Sequence, residues 1–256
     1  MDVIPTSLKI VLYIIIFLYG VVIGSFVNVC ICRIPRGESI VKVRSHCENC
    51  GYQLRWYDLI PLFSYLALGG KCRKCRERIS VQHLVIEVLN GCLYILIFSV
   101  CNISVESLLY CLAGSALLAL AIIDIKTYEI PLGFNIFIGV LGIARVITDY
   151  TNWLEYVIGF VAVSGFLYLL FLLSKGRAIG GGDIKLMAAC GLLLGWKLII
   201  LAFLFGCIVG AVTHVIRMRV SGEDHVLAMG PYLAIGVMVA ALWGNTFLTW
   251  YLGSLI

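Results

Sequence analysis

The sequence has few charged residues and long stretches with none. Charged residues make up 13% of the 256 positions, and 62% of the residues are hydrophobic. An ordinary soluble domain carries about a quarter charged residues, so this composition excludes one. Apolar runs of roughly 20 residues, long enough to cross a bilayer as a helix, recur along the chain. We therefore predict an all-α, polytopic membrane protein that is embedded in the lipid bilayer.

Three other features are missing. The eleven cysteines are odd in number and follow no regular framework, which argues against a disulfide scaffold. The chain shows no repeat of solenoid length and no low-complexity tract. Its formal net charge of +5 is not a nucleic-acid signal, because the basic residues lie in the connections between apolar runs. We expect no nucleic-acid partner.

Eight apolar runs are candidate transmembrane helices. The first is too long for a signal-peptide core and shows no clear cleavage pattern, so we treat it as a retained span. The sixth and seventh are divided only at Gly195-Trp196-Lys197. The chain is thus a first span at 1–32, a polar loop at 33–79 and a membrane core at 80–256. The predicted spans are 8–32, 80–100, 106–124, 132–147, 154–174, 184–196, 198–217 and 226–252.

Lys and Arg set the predicted orientation, because they concentrate in cytoplasmic connections. The loop 33–79 holds ten of the 19. With this loop in the cytoplasm and eight spans threaded, 16 of the 19 fall on the inner side and both chain ends lie outside. Fusing the sixth and seventh spans would send Arg217 and Arg219 outside. Eight spans is therefore the better interpretation.

Two aspartates stand at the ends of apolar runs. Asp124 closes one run and is followed by Pro131, which suits the first turn of a helix. Asp183 follows three glycines, 180–182, which let backbones approach closely. The predicted topology places both near the cytoplasmic face. Ionisable groups in spans are costly and suggest function, and two carboxylates that share a proton can supply a base and an acid. The alternatives are an interfacial residue for Asp124 and a helix N-cap for Asp183.

Four of the cysteines form two Cys-x-x-Cys pairs in the loop 33–79, with 21 residues between the pairs. This spacing is typical of a tetrahedral four-thiolate zinc site, closed and therefore structural. Zinc would let a loop of this size fold without a large core, and a reducing cytoplasm suits free thiolates. The predicted ligands are Cys47, Cys50, Cys72 and Cys75.

These motifs resemble those of a known family. The Gly-Gly-Gly-Asp183 sequence matches the GxGD signature of intramembrane aspartyl proteases, and Asp124 with Ile130-Pro131 resembles the first aspartate motif of type IV prepilin peptidases. The same family pattern appears in 24–29, in the paired Cys-x-x-Cys, in 79–87 and in 230–234. Family members often have Asn or Asp directly after the Ile-Pro, whereas this chain has Leu132, with Asn135 nearby.

The resemblance implies an aspartic endopeptidase of the bacterial inner membrane. Such an enzyme removes the leader of type IV prepilin or pseudopilin precursors on the cytoplasmic side. It implies Asp124 and Asp183 as catalytic residues, with Gly180, Gly181, Gly182 and Pro131 in support. It also implies N-methylation of the new N-terminus with S-adenosylmethionine, although no residue pattern indicates where the methyl donor would bind.

Two other functions stay open at this point. A protease of the presenilin or signal-peptide-peptidase type would also carry the GxGD signature, but the zinc-knuckle loop and the Gly24-Ser25-Phe26 motif count against it. A proton-coupled transporter would also use paired intramembrane acids. Transporters often contain inverted repeats, and the sequence shows none.

Overall fold

The computed structural model of the chain describes residues 5–177, 179–221 and 227–253. The chain divides into two compact units, Met1–Asn102 and Ile103–Ile256. Throughout the described part the regular structure is helical, with isolated β-bridges and no strand. This confirms the all-α prediction. The first unit combines the predicted first span and loop with the next helix, and the domain boundaries at residues 33 and 80 stay a prediction.

The first unit is built on two long helices that pack closely. They contain small residues where their backbones meet, as helices in lipid require. A Cβ on Gly20 would lie 2.8 Å from the Gly91 Cα, and one on Gly24 would lie 2.9 Å from the Glu87 Cα. Asn90 strengthens the contact by donating through Nδ2 to the Gly20 carbonyl at 2.7 Å. The helices of this unit are α1 (Thr6–Arg33), the short α2 (Phe63–Ala67) and α3 (Val81–Cys101), with a 3-10 turn at Trp56–Leu59.

The second unit is a bundle around one short, buried helix. Its elements are α4 (Val105–Thr127), α5 (Leu132–Thr148), α6 (Trp153–Leu173), α7 (Gly181–Leu194), α8 (Trp196–Ser221) and α9 (Gly230–Gly253). The central α7 contacts α5, α6, α8 and α9. Most of it is buried, including Leu186, Met187, Ala188, Ala189, Cys190, Gly191, Leu193 and Leu194.

Among the described residues, six helices are long and apolar enough to cross a membrane: α1, α3, α4, α6, α8 and α9. A helix occurs at each of the eight predicted positions, but α5 has 17 residues and α7 only 14. A helix of 14 residues is about 21 Å long, short of the roughly 30 Å hydrocarbon core. Since protein rather than lipid surrounds α7, its length need not match the bilayer. The count of eight spans stays a prediction. Residue 226, where the last predicted span begins, and both chain ends lie outside the described residues.

The division between the sixth and seventh predicted spans is a true helix break. The helix α7 ends at Leu194, Gly195 has a φ of +81°, and α8 begins at Trp196. That left-handed conformation favours glycine. Gly195 also lies against α6, since a Cβ on Gly159 would come within 2.7 Å of its carbonyl carbon. The two runs are therefore separate helices, as predicted from the break at Gly195-Trp196-Lys197.

Candidate active site and metal centre

Asp124 lies in the last turn of α4 and is 4% exposed. Its Oδ2 accepts a hydrogen bond of 2.8 Å from the backbone N–H of Gly230, the first residue of α9. A helix N-terminus presents free N–H groups and a favourable dipole to a carboxylate. A Cβ at position 230 would lie 2.6 Å from the same oxygen. The contact therefore needs glycine, and it joins residues 106 apart in sequence.

Asp183 lies in the first turn of α7 and is partly exposed. The three glycines before it differ in how closely other atoms approach them. A Cβ on Gly180 would lie 3.0 Å from the Asp183 Oδ2, and one on Gly182 would lie 2.9 Å from the Ile130 Cβ. A Cβ on Gly181 would meet nothing within 4 Å. The close approaches thus fall at the two fixed glycines of the GxGD signature, and the open position is its variable residue.

Both aspartates line one cleft of about 300 Å³. The structure brings together the predicted pair and all three predicted glycines. Pro131 is the N-cap of α5, directly after Ile130 in the cleft wall. Glu129 adds a third carboxyl group that the sequence interpretation did not weigh. The lining residues are Asp124, Tyr128, Glu129, Ile130, Gly180, Gly181, Gly182 and Asp183.

Asn135, on α5, is 5% exposed, and neither its Nδ2 nor its Oδ1 has a hydrogen-bond partner among the described residues. Buried amides in native proteins are nearly always paired. Positions 182 and 142 show that α5 and α7 run in parallel, because Gly182 packs on Ile130 and Gly142 packs on Leu192. In this register Asn135 is level with the first full turn after Asp183. The sequence signal that could have identified Asn135 is a polar amide side chain within an otherwise apolar helix.

The four cysteines of the loop lie together, with all Sγ atoms within 4.8 Å of one another. The Cys47 and Cys75 sulfurs are 3.8 Å apart, and the Cys50 and Cys72 sulfurs are 4.0 Å apart. A zinc–sulfur bond of about 2.3 Å gives a tetrahedron with edges of about 3.8 Å. The sulfur positions therefore fit a tetrahedral zinc ion.

The two Cys-x-x-Cys segments have the same backbone design. In each, the first cysteine N–H donates to the carbonyl five residues on, from Cys47 to Tyr52 at 2.9 Å and from Cys72 to Glu77 at 2.8 Å. In each, the residue after the second cysteine has a positive φ, +66° at Gly51 and +63° at Arg76. Local turns thus set the direction of the sulfur atoms.

The environment of the cluster favours a thiolate. The backbone N–H groups of Cys75 and Lys74 lower the pKa of Cys72 to about 6. The Glu77 N–H lowers the pKa of Cys75, but burial and the other three sulfurs outweigh it and raise that pKa to about 12. Neighbouring groups thus act in opposite directions on the thiol protons of Cys72 and Cys75. A bound metal ion would replace those protons, since a coordinating thiol is deprotonated.

Known proteins match this chain over almost its whole length. Residues 18–101 match a family model described as the bacterial peptidase A24 N-terminal domain, and 111–215 match the type IV leader peptidase family. A Bacillus subtilis (strain 168) protein is 34% identical over 93% of this chain and 97% of its own length. A Myxococcus xanthus (strain DK1622) protein is 32% identical over 81% of this chain and 64% of its own length. A Pseudomonas putida protein is 29% identical over 88% of this chain and 88% of its own length. All three are named prepilin leader peptidase/N-methyltransferase.

This chain belongs to the type IV leader peptidase family. The membership confirms the predicted resemblance and makes the chain a peptidase. No solved structure matches it. The two family models fall one in each compact unit of this leader peptidase, the first around the cysteine cluster and the second around the aspartate cleft.

Proposed function

We propose that this leader peptidase cleaves the leader of type IV prepilin or pseudopilin precursors at the cytoplasmic face of the bacterial inner membrane. Asp124 and Asp183 are the catalytic pair. The observation that carries the proposal is that two carboxyl groups from different helices line one open cleft. The names of the relatives supply the class of substrate.

The pair acts as general base and general acid. One carboxylate takes a proton from water while the water oxygen attacks the scissile carbonyl carbon, and the other carboxyl group protonates the carbonyl oxygen. Collapse of the tetrahedral intermediate returns a proton to the leaving amine. The Gly230 N–H holds one Asp124 oxygen, which fixes the direction of that carboxyl group. In this mechanism the two carboxyl groups share a proton, so their protonation belongs to the pair rather than to either residue.

The positions of the carboxyl groups along their helices support cleavage at the membrane surface. Asp124 lies in the last turn of α4, and Asp183 in the first turn of α7. Neither lies in the middle of a helix. A precursor whose hydrophobic helix is still in the bilayer presents its leader at this level. We keep the charge-based orientation, with the loop 33–79 inside and both chain ends outside.

We further assign a supporting role to Asn135. Its unpaired amide lies about one turn from the cleft, where it can hold water or a substrate peptide group. A buried polar group without a partner costs about 1–3 kcal/mol, so a purely structural position would favour an apolar side chain.

The loop 33–79 binds one structural zinc ion in this proposal, held by Cys47, Cys50, Cys72 and Cys75. The sulfur geometry supports the assignment. We also propose N-methylation of the exposed N-terminus with S-adenosylmethionine, supported by the names of the relatives. Zinc would hold the loop in its folded form.

The test is cleavage of a tagged precursor co-expressed with wild type, Asp124→Asn and Asp183→Asn at matched membrane levels. Loss of one catalytic acid or base costs about 10²–10⁴-fold in rate, so both variants should leave the precursor uncut. Glu129→Gln changes a third carboxyl group of the same cleft and should retain cleavage. Near-normal cleavage by either Asn variant would show that its aspartate is structural.

Mapping the cut by mass spectrometry separates the alternatives. A cut between leader and hydrophobic helix supports a leader peptidase, whereas cuts within the helix indicate a presenilin-like protease. A proton-coupled transporter would leave the precursor intact in every variant.

A further inference from the structure

An exposed apolar surface lies in the loop 33–79, outside the long helices. Its residues lie at positions 56, 59, 60, 63 and 66, in the 3-10 turn, in the connection that follows it and in α2. We call this surface the loop stripe. Its side chains are Trp56, 78% exposed, Phe63, 63%, and Leu66, 66%, with Leu59 and Ile60 between them at 46% and 40%. A contiguous exposed apolar surface of this kind marks a contact with protein or membrane.

The loop stripe is held beside a membrane helix rather than out in solvent. The backbone N–H of Leu62, in the middle of the segment, donates to the Glu87 Oε2 at 2.8 Å. Glu87 is six residues into α3, about 9 Å along a helix that is apolar enough to span a membrane. Interfacial helices bury their apolar face about 5–10 Å into the boundary between headgroups and acyl chains. Measured from the start of α3, the Leu62 contact thus lies about as far along the helix as interfacial helices bury their apolar face.

Two side chains of the segment, Asp58 and Tyr65, make further hydrogen bonds to the rest of the loop. The Asp58 carboxylate is buried and accepts from the Arg73 Nε at 2.8 Å and from the Arg55 backbone N–H at 3.2 Å. The Tyr65 hydroxyl donates to the Ile79 carbonyl at 3.4 Å. Polar groups of the segment therefore face the protein, and its apolar side chains face outward.

The charge of the loop identifies the kind of surface that it meets. Residues 33–79 contain ten Lys and Arg against four Asp and Glu, a net charge of +6. Basic residues at a membrane surface are attracted to anionic lipids by about 1 kcal/mol each. Residues 56–67 themselves contain no Lys or Arg, but basic residues flank them at Arg55 and at Lys71, Arg73 and Lys74.

We propose that Trp56–Ala67 is a membrane-interface anchor, with the loop stripe inserted at the headgroup–acyl boundary of an anionic leaflet. Its function is to seat the cysteine cluster against the membrane surface. Trp56 and Phe63 supply the inserted area, and Glu87 sets the depth through Leu62. This inference holds whether or not the aspartates are catalytic.

The test uses the full chain labelled with 5-fluorotryptophan, in lipid nanodiscs that contain phosphatidylglycerol. The fluorine resonance of Trp56 is identified by its loss in Trp56→Phe. Lipids with a nitroxide near the top of the acyl chain should abolish this resonance, and a water-soluble gadolinium chelate should leave it visible. Loss of the Trp56 resonance with the chelate, but not with the lipid nitroxide, overturns the proposal.

Charged substitutions sharpen the test. Phe63→Glu together with Leu66→Glu should restore the Trp56 resonance beside the lipid nitroxide and expose it to the chelate. Val41→Glu is the matched control, because Val41 is 84% exposed in the same loop but lies outside the stripe. Equal behaviour of the two variants overturns the proposal.

Changing the lipid of the discs and adding a precursor peptide both test what the loop stripe contacts. Weaker protection of Trp56 from the chelate in phosphatidylcholine discs supports the role of anionic lipid, and equal protection contradicts it. If Trp56 is accessible in lipid alone and becomes protected only when a precursor peptide is added, the loop stripe binds substrate and the anchor is wrong. The wild-type measurement needs no cleavage activity, so its outcome is independent of the catalytic proposal.

Discussion

The two compact units place their polar groups in different ways. In the first, the four cysteines fall within residues 47–75, and two similar turns direct their sulfur atoms. In the second, the two aspartates are 59 residues apart, and the partner of Asp124 is 106 residues away. The cysteine cluster is therefore a local structure, whereas the cleft exists only when the end of α4, the connection to α5 and the start of α7 meet. Substitutions should reveal this difference.

The largest effect is expected from Cys72→Ser, which removes one of the four proposed zinc ligands. Structural zinc contributes about 10–16 kcal/mol in small peptides, so zinc content should fall from about one ion per chain to near zero. The measurement is metal analysis of purified protein, with Cys190→Ser as the control in α7. Retained zinc in Cys72→Ser would show that the cluster is not the metal site.

Gly230→Ala tests the long-range contact of the second unit. The new Cβ would lie 2.6 Å from the Asp124 Oδ2, so the carboxyl group must turn away and lose its N–H partner. Misplacement by about 1 Å can cost about 10²-fold in rate, and we expect precursor cleavage to fall by about that factor. Gly139→Ala, on α5 with nothing within 4 Å, should cleave normally. Zinc content should be unchanged in both variants, which would show that the cysteine cluster does not depend on the cleft.

The GxGD glycines offer a matched pair within one turn. Gly182→Ala brings a Cβ to 2.9 Å from the Ile130 Cβ, whereas Gly181→Ala meets nothing. Ile130 can shift in part, so we expect cleavage to fall about tenfold in Gly182→Ala and to stay near normal in Gly181→Ala. Similar rates in the two variants would mean that the glycines act through flexibility rather than close packing.

The smallest effect is expected from Asn135→Leu, which should change stability and activity in opposite directions. Removing the unpaired amide should stabilise the fold by up to about 1–3 kcal/mol, while cleavage falls. Denaturant unfolding in detergent and precursor cleavage are measured on the same preparation. A variant that is less stable, or that cleaves as fast as wild type, would contradict the supporting role.

Local patterns predicted the elements well. Apolar runs located all eight long helices of the described chain, and the break at Gly195 was visible because glycine interrupts a hydrophobic stretch. Span number was harder to predict, since α7 is too short to cross lipid alone and only its burial explains it. The hydrogen bond between Gly230 and Asp124 was not predicted, because no sequence pattern in either segment indicates contact with the other.

By itself, the sequence determined the class of protein, the helices, the cysteine cluster and the two acids, because composition, periodicity and short spacings act through neighbours in the chain. Tertiary structure alone decided which glycines need to lack a side chain, that the α9 N-terminus holds Asp124 and that Leu62 is tied to Glu87. Most of these contacts join segments far apart in sequence. Their geometry depends on how whole helices pack, and packing distance is not encoded at any single position.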